Sequence, residues 1–343
     1  MKAQRKSLVV KPRTSLLPDW IVSDLEKSGL SIEDFPIEVP KDIRQIKERL
    51  GFTGIMDNSE KRIKLIELDC YWIPYPNVPG YYRLKLRSPI ETKNGTVKYL
   101  SPKKEMGFGN KPYILPEVKK RLDTYSPDKS IFITEGEKKA RKATKEGFPS
   151  IGLSGVSCFK DSENEFLPEL DGYIWKDRTA YIVYDSDMSK KHGVKRDEIR
   201  LSIESTNRGA NVLSVRLPNE EDGGKNGLDD YLVRYGSDEF RKLVDNALPT
   251  LEVHVKDDTD YKLILRELPR LKNEVVRAKT IKALAKRENV TVKAIEAEYK
   301  KYIPQNKNEK EQAKEEFAPE QLEKAEDLLY SPDILSKMIT FTM

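Results

Sequence analysis

The chain has 343 residues, enough for two or three domains with sizeable apolar cores, and 35% of them are charged. No apolar stretch approaches the roughly 18 residues needed to span a bilayer, so a soluble, cytoplasmic protein is expected. Two cysteines without CxxC spacing, Cys70 and Cys158, and two histidines, His192 and His254, argue against a structural zinc site. The net charge of +5 is unevenly spread, because Lys2, Arg5, Lys6, Lys11 and Arg13 all precede the first acid, Asp19.

Residues 1–13 therefore read as a basic arm, solvated or touching a phosphate backbone. Residues 14–127 form an α+β region. Helical signals run from Trp20 to Lys27 and from Lys41 to Leu50, and residues 63–100 are β-rich, with turns at Asn77-Val78-Pro79-Gly80 and Lys93-Asn94-Gly95. Within it Tyr82-Arg83-Leu84-Lys85-Leu86-Arg87 alternates, which predicts a core face of Tyr82, Leu84 and Leu86 and an outer face of Arg83, Lys85 and Arg87. Lys98, Lys103 and Lys104 follow, with Tyr99 among them. Cations that track phosphates beside rings that stack bases suit single-stranded nucleic acid. The same pattern also suits an edge sheet whose lysines block aggregation.

Residues 128–248 alternate strand and helix, the pattern of a parallel sheet. Strands are predicted at 131–135, 149–153, 179–185 and 211–217, and helices at 136–147, 194–208 and 237–246, with a shorter one from Leu228. Residues 258–302 read as helical, resembling a helix-turn-helix in which Thr291 caps the second helix. Residues 303–318 read as a charged linker and 319–343 as a connector helix. There is no GxxxxGK[ST] phosphate loop.

Two of the predicted strands stop in carboxylates. Ile131-Phe132-Ile133-Thr134 runs into Glu135-Gly136-Glu137, and Tyr181-Ile182-Val183-Tyr184 runs into Asp185-Ser186-Asp187. Open parallel sheets bind ligands at the carboxyl ends of their strands, and clustered carboxylates there suit a hard divalent cation such as Mg²⁺ or Mn²⁺. In an extended segment Asp185 and Asp187 project to one side. A third acidic pair, Asp229-Asp230, follows Gly223-Gly224-Lys225-Asn226-Gly227, where Lys225 is placed either to offset the negative charge or to meet a phosphate. Such a set points to phosphodiester chemistry, in which metal ions clamp attacking and leaving oxygens.

The order of these motifs resembles the Toprim domain of DnaG-type primases, topoisomerases and some nucleases. The match lies in Thr134-Glu135-Gly136-Glu137-Lys138-Lys139-Ala140, in Tyr184-Asp185-Ser186-Asp187, and in Gly224-Lys225-Asn226-Gly227-Leu228-Asp229-Asp230-Tyr231. The resemblance implies a parallel Toprim sheet flanked by helices. It implies Glu135 as the general acid/base or a metal ligand, Asp185, Asp187, Asp229 and Asp230 as metal ligands, and Lys138 and Lys225 as phosphate or nucleotide contacts. Two departures leave the number of metals open: DnaG-type primases carry an Asp near the position held here by Lys139, and the last motif is one residue longer. Glu-Gly-Glu-Lys-Lys-Ala looks closer to Toprim modules of phage, plasmid and integrated-element replication proteins, where a helicase-type ATPase often follows.

The expectation is accordingly a DNA primase, or the primase module of a replication protein. Its partners would be single-stranded DNA, nucleoside triphosphates and a replicative helicase, with no membrane. The same carboxylates would serve a Toprim nuclease by activating water, and a third reading is a non-catalytic module that holds single-stranded DNA and recruits a helicase.

Overall fold

Strands that are apolar on both faces need cover on both faces, and that requirement sets the architecture. The computed structural model describes residues 17–51, 70–92, 95–124, 130–163 and 165–303. The basic arm, the connector helix and nearly all of the predicted linker lie outside them. A six-stranded sheet has the order β4-β6-β5-β7-β8-β9. Its strands are β4 (Tyr113–Ile114), β5 (Ile131–Glu135), β6 (Ser150–Leu153), β7 (Thr179–Tyr184), β8 (Asn211–Arg216) and β9 (Leu248–Pro249). The four central strands are parallel, and the two-residue edges, β4 and β9, are antiparallel.

Side chains on β5 and β7 alternate between two cores, as a period of two demands. Phe132, Tyr181 and Val183 enter one core with Phe148, Leu232 and Phe240, where Phe132 stacks on Tyr181 at 4.9 Å and Phe148 meets Phe240 edge-on at 4.7 Å. Ile131, Ile133, Ala180 and Ile182 enter the other, which reaches Ile21, Leu25 and Tyr71 of the N-terminal region. The helix Leu228–Asp245 covers the first face. It is continuous by hydrogen bonding but kinks at Gly236, so the two predicted helices there meet end to end.

The N-terminal region holds helices Asp19–Glu26 and Ile43–Leu50 and an antiparallel sheet of β1 (Cys70–Pro74), β2 (Tyr82–Thr92) and β3 (Gly95–Leu100). On β2 the alternation of Arg83, Lys85 and Arg87 does not produce an outer basic face. Arg83 and Lys85 are buried, and of the three only Arg87 is exposed. The cause is a second layer: β2 lies between its own small core, with Trp72, Leu84 and Leu86, and the acidic end of the large sheet. Arg83 Nη1 donates to Glu137 Oε1 at 2.5 Å, and the Tyr75 hydroxyl donates to the same oxygen at 2.5 Å. Lys85 donates to the Leu86 carbonyl at 3.0 Å.

At the other end, helices Glu274–Arg287 and Val292–Lys300 pack Ile281, Leu284, Ala285 and Ile295 against Ile199 and Ile203 of helix His192–Asn207. Thr291 caps the last helix by accepting from the Ala294 N–H. Beneath them lies a charge network centred on the fully buried pair Glu198 and His254. Glu198 accepts from Arg216 at 2.7 and 3.0 Å, from Ser214 at 2.6 Å, and faces His254 Nε2 at 2.9 Å. Burial works to raise the Glu198 pKa, but Arg216 and His254 outweigh it and hold the carboxyl down at about 2.

The Arg83–Glu137 pair ties the small sheet to the large one, and both side chains are nearly buried. Replacing Glu137 with Ala leaves a buried guanidinium without a counter-charge, at an expected cost of about 3–5 kcal/mol. Urea unfolding should show this loss in Glu137→Ala and a much smaller one in the doubly apolar Arg83→Met/Glu137→Leu.

Candidate functional site

The site sits at the carboxyl edge of β5 and β7, where the chain must leave the sheet abruptly. After Glu135, Gly136 adopts φ +101°, a conformation that side chains strongly disfavour, and turns the chain into helix Glu137–Lys145. Gly152 on β6 lets this turn approach closely, since a Cβ there would lie 2.9 Å from the Gly136 carbonyl oxygen. Glu135 is thereby fixed beside Asp185, which follows β7 directly.

Glu135, Asp185 and Asp229 line one cavity of about 540 Å³ together with Lys98, Tyr99, Lys138, Lys139 and Lys225. A second cavity of about 570 Å³, lined by Lys104, Phe108, Ser157 and Lys160, shares Glu135, Arg83 and Ser154 with the first. Glu135 thus stands where the two meet. No described residue gives it a hydrogen bond or ion pair.

Asp185 is buried and doubly paired: Lys139 Nζ lies 2.5 Å from Oδ1, and Lys225 Nζ lies 2.5 Å from Oδ2. Burial works to raise its pKa, but the two ammonium groups outweigh it and hold the carboxyl below its usual 3.8. For Lys139, burial opposes the charge, yet Asp185, Asp229 and Glu135 lift its pKa above 10.5. Asp229, at the start of helix Leu228–Asp245, accepts from Ser28 Oγ at 2.6 Å. Lys138 donates to the Asp24 carbonyl and carboxylate at 3.0 and 3.1 Å, while its side chain still borders the cavity.

Two expected members of the acidic set point elsewhere. Asp187 lies in a 3-10 turn, Ser186–Lys190, where the i, i+2 relation of an extended strand no longer holds, and it pairs with Lys191 at 2.7 Å. Asp230 turns back to accept from the Gly227 N–H at 3.2 Å, capping its own helix. On the basic side, Lys98 is exposed and Tyr99 half-buried beside the cavity, where the Tyr99 ring lies 4.9 Å from the Arg83 guanidinium and 5.2 Å from the Lys85 ammonium. Lys104 borders the second cavity, Lys103 is half-buried near Leu50, and Arg87 reaches over Trp20 at 5.9 Å. Sequence reasoning missed Ser28, Tyr75 and Glu137 as supports of the site. Only Glu137 carried a signal, as the second acid of the Glu-Gly-Glu motif.

Among the described residues no three carboxylates, histidines or cysteines gather closely enough to hold a metal ion by themselves. The donors are nevertheless hard oxygens. Asp185 Oδ2 is buried without an aligned hydrogen bond, and its ion-pair partner Lys225 is 51% exposed and free to withdraw. That oxygen suits a divalent cation which substrate oxygens help to coordinate.

An open, mostly parallel sheet with an antiparallel sheet docked over its carboxyl edge defines the class of fold, that of DnaG primase catalytic cores. A DNA primase domain from Pseudomonas aeruginosa is similar at a TM-score of 0.53 and 16% identity, over 82% of this chain and 92% of that one. The DnaG catalytic core is similar at 0.51 and 15%, over 82% and 92%. A DnaG primase catalytic domain bound to single-stranded DNA is similar at 0.50 and 15%, over 82% and 91%. The family described as a domain of unknown function (DUF3854) matches residues 124–239, about a third of the chain. No curated protein matches in sequence. Among the described residues, no helix is long and apolar enough to cross a membrane.

Asp230 has a raised pKa, first from burial and then from the neighbouring charge of Asp229. A carboxyl whose pKa is higher in the folded chain costs stability when ionised, at pH values above that pKa, and costs nothing once protonated in both states. Asp230→Asn keeps an acceptor for the Gly227 N–H and should raise the melting temperature at pH 7. The gain should shrink towards pH 4 in thermal melts.

Proposed function

We propose that the protein is a Toprim-type DNA primase, or the primase module of a mobile-element replication protein. It would join nucleoside triphosphates into short primers on single-stranded DNA, the 3′-hydroxyl attacking the α-phosphate as the α–β phosphoanhydride bond breaks and pyrophosphate leaves. The observation that carries this reading is the convergence of Glu135, Asp185 and Asp229 with four lysines on one cavity, at the carboxyl edge of a sheet with the primase-core fold. Carboxylates alone would repel a triphosphate. Lysines alone would bind it without activating the attacking hydroxyl. The two together suit nucleotidyl transfer.

Mg²⁺ or Mn²⁺ would be held by Asp185 with the help of substrate oxygens, and when bound it supplies polarisation of the phosphoryl oxygen and relief of developing charge. Lys225, half-exposed at the rim, leaves Asp185 and pairs with the triphosphate. Glu135 has no competing partner among the described residues, and it takes the proton of the attacking 3′-hydroxyl. Lys98 and Lys104 border the two cavities and give the template phosphates a path past Glu135. One solved neighbour of this fold is described as bound to single-stranded DNA, which supports a single-stranded partner here. The helices that follow the sheet offer a docking face for a replicative helicase.

The test is primer synthesis on unprimed single-stranded circular DNA with labelled nucleotides and Mg²⁺ or Mn²⁺. Short new strands should form with the wild-type protein and fall at least about a hundredfold in Glu135→Gln and Asp185→Asn, the scale of lost acid–base catalysis. Template shortening without new strands would assign the same carboxylates to a nuclease.

A further inference from the structure

The acidic cluster carries a cation of its own. Lys139 leaves helix Glu137–Lys145 and places its ammonium 2.5 Å from Asp185 Oδ1. Its side chain is 18% exposed, against 51% for Lys225 on the other oxygen. Asp229 and Glu135 line the same cavity as that ammonium and favour its charged form. The backbone at Gly227 closes over the lysine stem, since a Cβ there would lie 3.0 Å from Lys139 Cε and 3.1 Å from Asp229 Oδ1. Lys139 is therefore held on Asp185 by closer packing than Lys225.

We infer that Lys139 permanently takes the place of a second metal ion, so that the site works with one exchangeable divalent cation. The inference rests on the metal-dependent reading proposed above. Charge balance supports it. Glu137 is spent on Arg83 and Lys138 on Asp24, which leaves Glu135, Asp185 and Asp229 facing Lys139. With Lys225 withdrawn, one divalent ion and Lys139 balance the three carboxylates before exposed Lys98 at the rim is counted, and a second ion would meet the ammonium across Asp185 in surplus. Lys139 is a positioning residue in this account: it orients Asp185 so that Oδ2 alone is offered to the metal.

The experiment is a Mn²⁺ titration of the full chain, with free Mn²⁺ read by electron paramagnetic resonance. Wild type should bind one ion, and Lys139→Asp, which exchanges the ammonium for a carboxylate, should bind two. Lys139→Gln should still bind one ion, at least about tenfold more tightly, because a like charge has been removed from beside it. This variant keeps the test readable should Lys139→Asp fail to fold. Two ions on the wild type would overturn the inference and leave the metal reading standing. So would a Lys139→Gln affinity equal to that of wild type. No ion on any variant would remove the metal reading, and the inference with it.

Discussion

Asp185 ends a strand buried on both faces, and a carboxylate in that position stays ionised only if cations come to it. Lys139 and Lys225 do so, from a helix that follows one strand and a loop that precedes another helix. Much of the surrounding design serves this meeting. Gly136 starts the helix that carries Lys139, Gly152 lets that turn approach the sheet, and Gly227 allows the lysine stem to pass. Without paired charge the carboxyl edge would be an anionic pit from which a triphosphate is excluded. With it, the edge presents charges of both signs side by side.

The same logic fixes the small sheet. Glu137 opens the helix beside Glu135, and its burial calls for Arg83 from β2 and the Tyr75 hydroxyl. Ser28 on Asp229 and Lys138 on Asp24 add further ties between the N-terminal region and the acidic edge. The basic strands therefore act first as a wall of the cavity. Any contact they make with nucleic acid comes from the rim positions, Lys98 and Lys104, and from exposed Arg87.

Strands β5 and β7 were legible because they are apolar on both faces and run into acids, a pattern that fits little else. Their predicted bounds at 131–135 and 179–185 agree with β5 and β7 to within a residue. The two-residue edge strands were not legible, since two residues carry no period. Neither was helix Thr250–Lys256, whose apolar face is short. At the site, sequence placed Glu135, Asp185 and Asp229 near one another but could not foresee which acids turn away. Asp187 lies within a 3-10 turn and Asp230 caps its helix, and both outcomes depend on local backbone geometry rather than residue type. Alternation on β2 assumed solvent on one face, where the fold supplies a second sheet instead. Lys139 was visible as a departure from the primase pattern, and its meaning emerges only once its ammonium is seen against Asp185.

The most direct measurement is a crystal structure with a template oligonucleotide, a non-hydrolysable nucleoside triphosphate and Mn²⁺, read from the anomalous signal of the metal. The account predicts one Mn²⁺ peak at Asp185 Oδ2. The triphosphate should lie against it, Lys225 should be turned away, and Lys139 should remain on Oδ1. A nucleotide bound away from the Glu135–Asp185 cavity, or Mn²⁺ on carboxylates outside it, would contradict it.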